Sequence, residues 1–275
     1  MSIFKKSLFF AITLVLIRLG LSFVPAQSIP GYDKPVKLIE LITISDISVI
    51  LTGAFFTIGI ILAGTMADFK ESEKIPGEIA SNLESIEDHL LLAIHLNKQS
   101  KNNSPIDTRY IYNSLVELSL ATLEWFKSSD KHSKTIFDAI RKGNELTYFI
   151  ANQEGGRDVI KGLQDGLNQL RKNVTRAYYI SRTNFLTPVF YLLLVIVSFL
   201  LIILTICKFN SSFAGYFVTG IGTFIFIYLL QLIRGLDDPF DFERDDVKVS
   251  LLPLERFKDR IHDSFYKNNL DEINE

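Results

Sequence analysis

A single cysteine, Cys207, stands among 275 residues, so the chain can form no internal disulfide and holds no paired-cysteine metal or redox motif. Tryptophan also occurs once, as Trp125. The four histidines, His89, His95, His132 and His262, fall in no metal-ligand spacing. There is no Gly-rich phosphate loop and no Gly-x-Ser-x-Gly elbow. Internal repeats and low-complexity segments are missing as well. The net charge of -2 gives a nucleic-acid partner no electrostatic support. With no catalytic constellation and no cofactor motif, the chain does not read as an enzyme.

What it has in abundance is apolar sequence. Hydrophobic residues make up 48% and mean hydropathy is +0.22, yet 22% of residues are charged. The two characters must therefore be segregated along the chain. A helix crosses the hydrocarbon core with roughly 20 mostly apolar residues. Four stretches qualify: residues 7–25, apolar except for Arg18, and residues 47–67, 185–207 and 213–233, all uncharged. The last two are separated only by residues 208–212 and predict a hairpin. Apart from Arg18 the spans hold no charge of the kind a proton relay or coupled carrier uses.

The first stretch reads in two ways. Lys5 and Lys6 precede the apolar run 8–17, and Val24-Pro25-Ala26 resembles a cleavage site, as in a secretory signal peptide. Alternatively it is a retained helix, the reading adopted here, with Arg18 snorkelling near its end. Lys and Arg flank the spans unevenly. Lys5 and Lys6 precede the first, Lys70 and Lys74 follow the second, Arg171, Lys172, Arg176 and Arg182 precede the third, and Arg234 follows the fourth. The two other loops hold only Lys34, Lys37 and Lys208. By the positive-inside rule both termini and the middle segment are cytoplasmic, as in a cell inner membrane.

The middle segment, 68–184, reads as helical. Ile79, Leu83, Ile86 and Leu90 share a helical face. That helix either continues from the second span through Pro76 with a kink or begins anew at Pro76. Ser104-Pro105-Ile106-Asp107 predicts the next start, with Ser104 as cap. A third helix is expected over 134–151. In the fourth, Ile160, Leu163, Leu167, Leu170, Val174, Ala177 and Ser181 form a heptad-like seam, with Gly162 and Gly166 beside it for close contact. The fold class is all-α: a four-span helical membrane protein with a cytoplasmic helical bundle between spans two and three. Four regions follow: 1–67, 68–184, 185–233 and a cytoplasmic C-terminal segment, 234–275.

Two stretches are candidates for function. In the second span Thr52, Phe56, Gly59 and Ala63 share one face. Such a face, with Gly53 and Gly64 nearby, serves either helix–helix packing or a pore in which Phe56 forms an apolar constriction. Asp68, Glu71 and Glu73 would then stand at the cytoplasmic mouth. Beyond the fourth span, Asp237, Asp238, Asp241 and Glu243 crowd a short segment. They are either a solvated acidic turn or oxygen ligands for a hard cation such as calcium, without the spacing of an EF-hand.

Together these features resemble the bacterial bestrophin-like membrane proteins, distant relatives of the bestrophin channels. The resemblance rests on the four-span layout with its helical insert, on Gly53, Phe55 and Phe56 followed by the charged exit at 68–74, and on the turn Asp237-Asp238-Pro239-Phe240 with Asp241, Phe242 and Glu243 behind it. The Arg-Trp-Trp stretch of bestrophins is not present. The resemblance implies a homo-oligomeric channel for small ions in the lipid bilayer, with Phe56 as a neck residue of an axial pore. The competing expectation is a non-conducting scaffold or sensor whose cytoplasmic helices bind a partner.

The charge distribution makes a topological prediction. A reporter active only in the cytoplasm is expected to work when fused after Asn102 or Glu275 and to stay silent after Lys34. Activity at Lys34 with silence at Asn102 would reverse the orientation.

Overall fold

The computed structural model describes residues 3–26, 37, 42–99, 106–128, 133–152, 156–182, 187–242 and 247–274. Eight helices are described: α1 (Ile3–Ser22), α2 (Ile44–Gln99), α3 (Thr108–Lys127), α4 (Ser133–Asn152), α5 (Arg157–Arg182), α6 (Thr187–Ile206), α7 (Ser212–Asp237) and α8 (Leu252–Asn274). The chain divides into two compact units. One comprises Met1–Phe69, Asn184–Asp238 and Arg244–Val247, the other Lys70–Thr183, Pro239–Glu243 and Lys248–Glu275.

Three described helices are long and apolar enough to cross a membrane: Ile47–Gln99, Val189–Ile206 and Ser212–Asp237. The fourth expected span, α1, is also 20 residues long, but it carries Lys5, Lys6 and Arg18. Within the first unit α1 packs along α7, and α6 and α7 form the expected hairpin. Ser211 caps α7, its Oγ accepting from the Ala214 N–H at 3.1 Å. The core is made by Ala54 and Ile58 of α2, Leu193, Val197, Leu200 and Leu204 of α6, and Phe226 and Ile233 of α7. Phe55 stacks on Phe226 with 4.9 Å between ring centroids. Large side chains such as Phe9, Ile12, Val195 and Ile202 remain exposed, as expected where lipid rather than protein covers a helix.

A short sheet departs from the all-helical expectation. Ile42 and Thr43 (β1) pair in parallel with Cys207 and Lys208 (β2). The chain leaving α6 has no further helical partners for its backbone, and the segment before α2 supplies them.

The second unit is a helical bundle. Its part of α2 buries Ile75, Ile79, Leu83, Ile86 and Leu90, and α5 buries Leu163, Leu167, Leu170, Val174 and Ala177. The seam read from the sequence is thus a core face, although Val159 rather than Ile160 is buried at its start. Gly162 and Gly166 are required by closeness. A Cβ at Gly166 would lie 2.8 Å from Ile86, and one at Gly162 would collide with the ring of His89. The His89 ring is held in turn by the Ser85 carbonyl, 2.6 Å from Nδ1.

Of the two expectations for Pro76, the continuous helix is observed: α2 runs 56 residues with Pro76 inside it. The cap of α3 differs from the expected Ser104, which with Pro105 lies outside the described residues. Asp107 caps the helix, its Oδ1 accepting from the Tyr110 N–H at 3.0 Å. Just ahead, Asn97 Oδ1 accepts from the Ile106 N–H and ties that residue back to α2. The helix begins at Thr108. Arg260 of α8 forks to Glu84 and Glu87 of α2 at 3.1 and 2.7 Å, and Lys127 of α3 reaches Glu255 at 2.7 Å. Glu71 pairs with Arg176 of α5 and with Lys74 at 3.1 Å. Hydrogen bonds from Lys74 and then Arg176 hold its carboxyl below the usual carboxylate range.

Two tests follow. Leu170→Ala removes a fully buried side chain from the α5 seam and is expected to lower unfolding stability by about 2–5 kcal/mol, measured by denaturant melts. Because folding depresses the carboxyl pKa of Glu71, its contribution is complete above the unfolded value of about 4.3 and fades as pH falls through the lower folded value. Glu71→Gln should remove that part of the acid limb when melting temperature is followed from pH 6 to pH 3. An unchanged limb would refute the pairing.

Candidate functional site

The second span presents two different faces to the rest of its unit. Ala54, Ile58 and Thr65 are buried. Thr52, Phe56, Gly59 and Ala63, the face read as pore-lining, are all exposed, Phe56 by 69%. A Cβ added at Gly53, Gly59 or Gly64 would meet nothing within 4 Å. The expectation that these glycines serve packing is therefore not met within the chain. Thr52 and Thr57 turn their hydroxyls back to the Ser48 and Gly53 carbonyls at 2.8 and 2.9 Å. The two adjacent phenylalanines have separate roles. Phe55, though partly exposed, stacks on Phe226, whereas Phe56 is the more exposed of the two.

The acidic mouth residues are not equivalent. Asp68 and Glu73 are exposed, and Asp68 belongs to the first unit. Glu71 is engaged by two cations and so contributes little net field of its own. The acidic turn is likewise divided. Asp237 ends α7 and Asp238 is its C-terminal cap. In the second unit Phe240 is buried against Phe126 at 5.4 Å, and the Pro239 carbonyl accepts from the Val249 N–H at 3.0 Å. Asp241 is half-buried, and Glu243 lies outside the described residues. Among the described residues no group of three or more His, Cys, Asp or Glu could hold a metal. The described acids thus offer no ready calcium cage.

The residue that sequence reasoning undervalued is Arg18. It does not snorkel: it is only 5% exposed. Its Nη1 donates to the Leu204 and Thr205 carbonyls, each at 2.8 Å, and its Nη2 to the Cys207 carbonyl at 2.9 Å. Thr219 of α7 donates to the Leu204 carbonyl as well, at 3.1 Å. These are last-turn carbonyls of α6 and the one just beyond, which have no intrahelical partner. A cation there also opposes the negative end of the helix dipole. Gly215 makes room, since a Cβ would lie 2.7 Å from Nη2. The Phe209 ring covers the guanidinium at 4.9 Å. The signal in the sequence was the lone arginine in an apolar run.

No family model matches the chain, and no curated protein matches it in sequence. Solved structures do match. Three structures of a bacterial bestrophin homologue from Klebsiella pneumoniae, each carrying a single mutation, superpose over nearly the whole chain. One is 15% identical with a TM-score of 0.71 and covers 96% of both chains. Another is 13% identical with a TM-score of 0.68, covering 96% of this chain and 98% of that one. A third is 14% identical with a TM-score of 0.64, covering 97% and 98%. The apolar helices and this likeness make the protein an integral membrane protein, and its fold is that of the bacterial bestrophin homologues.

Proposed function

We propose that the chain is one subunit of a homo-oligomeric ion channel with four membrane spans, in which α2 lines an axial pore and Phe56 forms its apolar constriction. The observation that carries this reading is the unoccupied face of α2. Thr52, Phe56, Gly59 and Ala63 are left uncovered by their own unit, while the opposite face supplies core residues. A face of threonine, glycine and alanine with one large ring suits a narrow water-filled path better than an acyl-chain surface, which calls for continuous large apolar groups. In copies arranged about an axis, a ring of Phe56 side chains excludes water and gates by dewetting. The fold likeness supports the same placement. α1, with its two lysines at one end and Arg18 buried near the other, serves as the remaining span. The bundle built from residues 70–183 lies on the cytoplasmic side, in keeping with the lysines and arginines that flank the spans.

The test combines assembly and conduction. Purified protein in mild detergent is expected to run as a defined oligomer by light scattering corrected for detergent. Reconstituted in planar bilayers with ion substitution, it is expected to conduct. Phe56→Ala should raise conductance or weaken gating. It should also leave thermal stability within about 0.5 kcal/mol, because the ring is mostly exposed in its own unit. Phe55→Ala, which removes the stack on Phe226, should lower stability instead. Unchanged conductance with reduced stability in Phe56→Ala would defeat the pore assignment, as would a monomer at every concentration. A silent bilayer, with a partner captured reproducibly by the cytoplasmic helices of the intact chain, would favour the scaffold reading.

A further inference from the structure

In the second unit α8 is tied to α2 through Arg260, which forks to Glu84 and Glu87. One turn earlier on α8, about 6 Å along the helix, stands Arg256, which is exposed and forms no ion pair with any described residue. A cavity of about 310 Å³ lies here, lined on α2 by Ala80, Ser81 and Glu84 and on α8 by Arg256, Phe257 and Arg260. Its charges are uneven. Glu84 and Glu87 share the single charge of Arg260, and Glu84 offers it only Oε1, at 3.1 Å. Glu84 Oε2 takes no hydrogen bond from a described residue. Arg256 and Glu84 therefore border one space with opposite charges that are not paired with each other. Between them the lining turns apolar. Ala80 and Phe257 are buried, and the Arg260 guanidinium lies over the Phe257 ring at 5.3 Å. Gly77 of α2 also borders the cavity, and a Cβ there would meet nothing within 4 Å. Unlike Gly162 and Gly166, it marks space left open rather than helices in contact.

We propose that this cavity binds a small zwitterion, a free α-amino acid with an uncharged side chain. Its carboxylate sits on the Arg256 fork, which matches the two oxygens, with the Ser81 hydroxyl as a further donor. Its ammonium group donates to the open Oε2 of Glu84. Its side chain lies on Ala80 and the Phe257 ring. The pairing of charges selects the occupant. A bare anion satisfies Arg256 but meets the Glu84 carboxylate, a bare cation meets Arg256, and an uncharged molecule leaves both groups unanswered. The volume is at the lower end of the range of ligand pockets, about 300–1,000 Å³, which sets an upper limit on the side chain. The bound molecule adds a second bridge between α2 and α8 beside the Arg260 fork. The site belongs to the second unit and does not depend on whether the chain conducts.

The experiment uses the full chain, purified in mild detergent, with binding read by titration calorimetry and by the rise in thermal midpoint that a ligand of the folded state produces. The probes are glycine, alanine, valine, leucine and phenylalanine, each alone, with acetate and inorganic phosphate as bare anions. At least one amino acid is expected to bind with a Kd of about 0.1–5 mM, weak because the charged groups are partly exposed. The methyl ester and the N-acetyl derivative of the tightest binder, which lack one charge each, should bind about fivefold or more weakly. Arg256→Gln should weaken the amino acid by about 5–10-fold and abolish its advantage over the methyl ester. Gly77→Leu, which reaches into the cavity and raises helix propensity, should abolish binding. Gel filtration checks that each variant is folded, and either folded variant alone decides the outcome. Wild-type affinity in a folded variant would overturn the proposal, as would methyl ester binding equal to that of the amino acid. No binding by any of the five up to about 20 mM would overturn it too. Acetate or phosphate that raises the midpoint equally would replace the zwitterion with a bare anion.

Discussion

In a bilayer core no water is present to take up a loose backbone carbonyl, so the end of a membrane helix must find its partners in the protein. The first unit meets this demand at α6 chiefly with one side chain, helped by Thr219. Arg18 brings its planar N–H fork to three carbonyls that α6 and its exit leave open. Much of the surrounding structure follows from that arrangement. α1 must lie close enough to deliver the guanidinium, and α7 must carry glycine at 215 to admit it. Phe209 must fold over it, and the chain just past α6 is free to pair with the strand before α2. Arginine suits the place better than lysine, because a planar fork reaches several acceptors at once.

A second constraint acts on α2. Its sides face different media, and the same short stretch serves both. Adjacent aromatic residues illustrate the division: Phe55 lies over the core residue Phe226, and Phe56 stacks on no ring of its own unit among the described residues. Small residues on the free side give no intrachain packing, so their cost in helix propensity has no return within one copy. For the polar unit the opposite holds. Its glycines, Gly162 and Gly166, are spent on close approach between helices of the same chain.

Much of this was legible in the sequence, for physical reasons. Uncharged runs of membrane length have few alternatives, and the three-and-four spacing of Leu163, Leu167, Leu170 and Val174 has no reading other than one buried face. Other features depend on partners that sequence does not display. The carbonyls that Arg18 serves belong to every residue alike, so nothing in α6 advertised them. The β1–β2 pairing is only two residues long, too short for a pattern. Ser104 and Asp107 are equally good caps by type, so the observed cap at Asp107 could not be chosen from residue type alone. Continuation through Pro76 was undecidable from neighbours alone. The free side of α2 was visible as a run of small groups, but what it faces lies outside the single chain.

The single tryptophan acquires a use from its position. Trp125 is buried, packs at 4.9 Å against Phe126, and Phe126 meets Phe240 of the segment that follows α7. Its indole N–H has no hydrogen-bond partner among the described residues, so the ring sits in a dry, apolar setting. Intrinsic emission excited at the indole band therefore comes from one point, next to the seat of Phe240. It is blue-shifted while that seat is filled. Loosening of the turn around Pro239 and Phe240 would register as a red shift without any label, giving the molecule a built-in optical readout of how its C-terminal segment is docked.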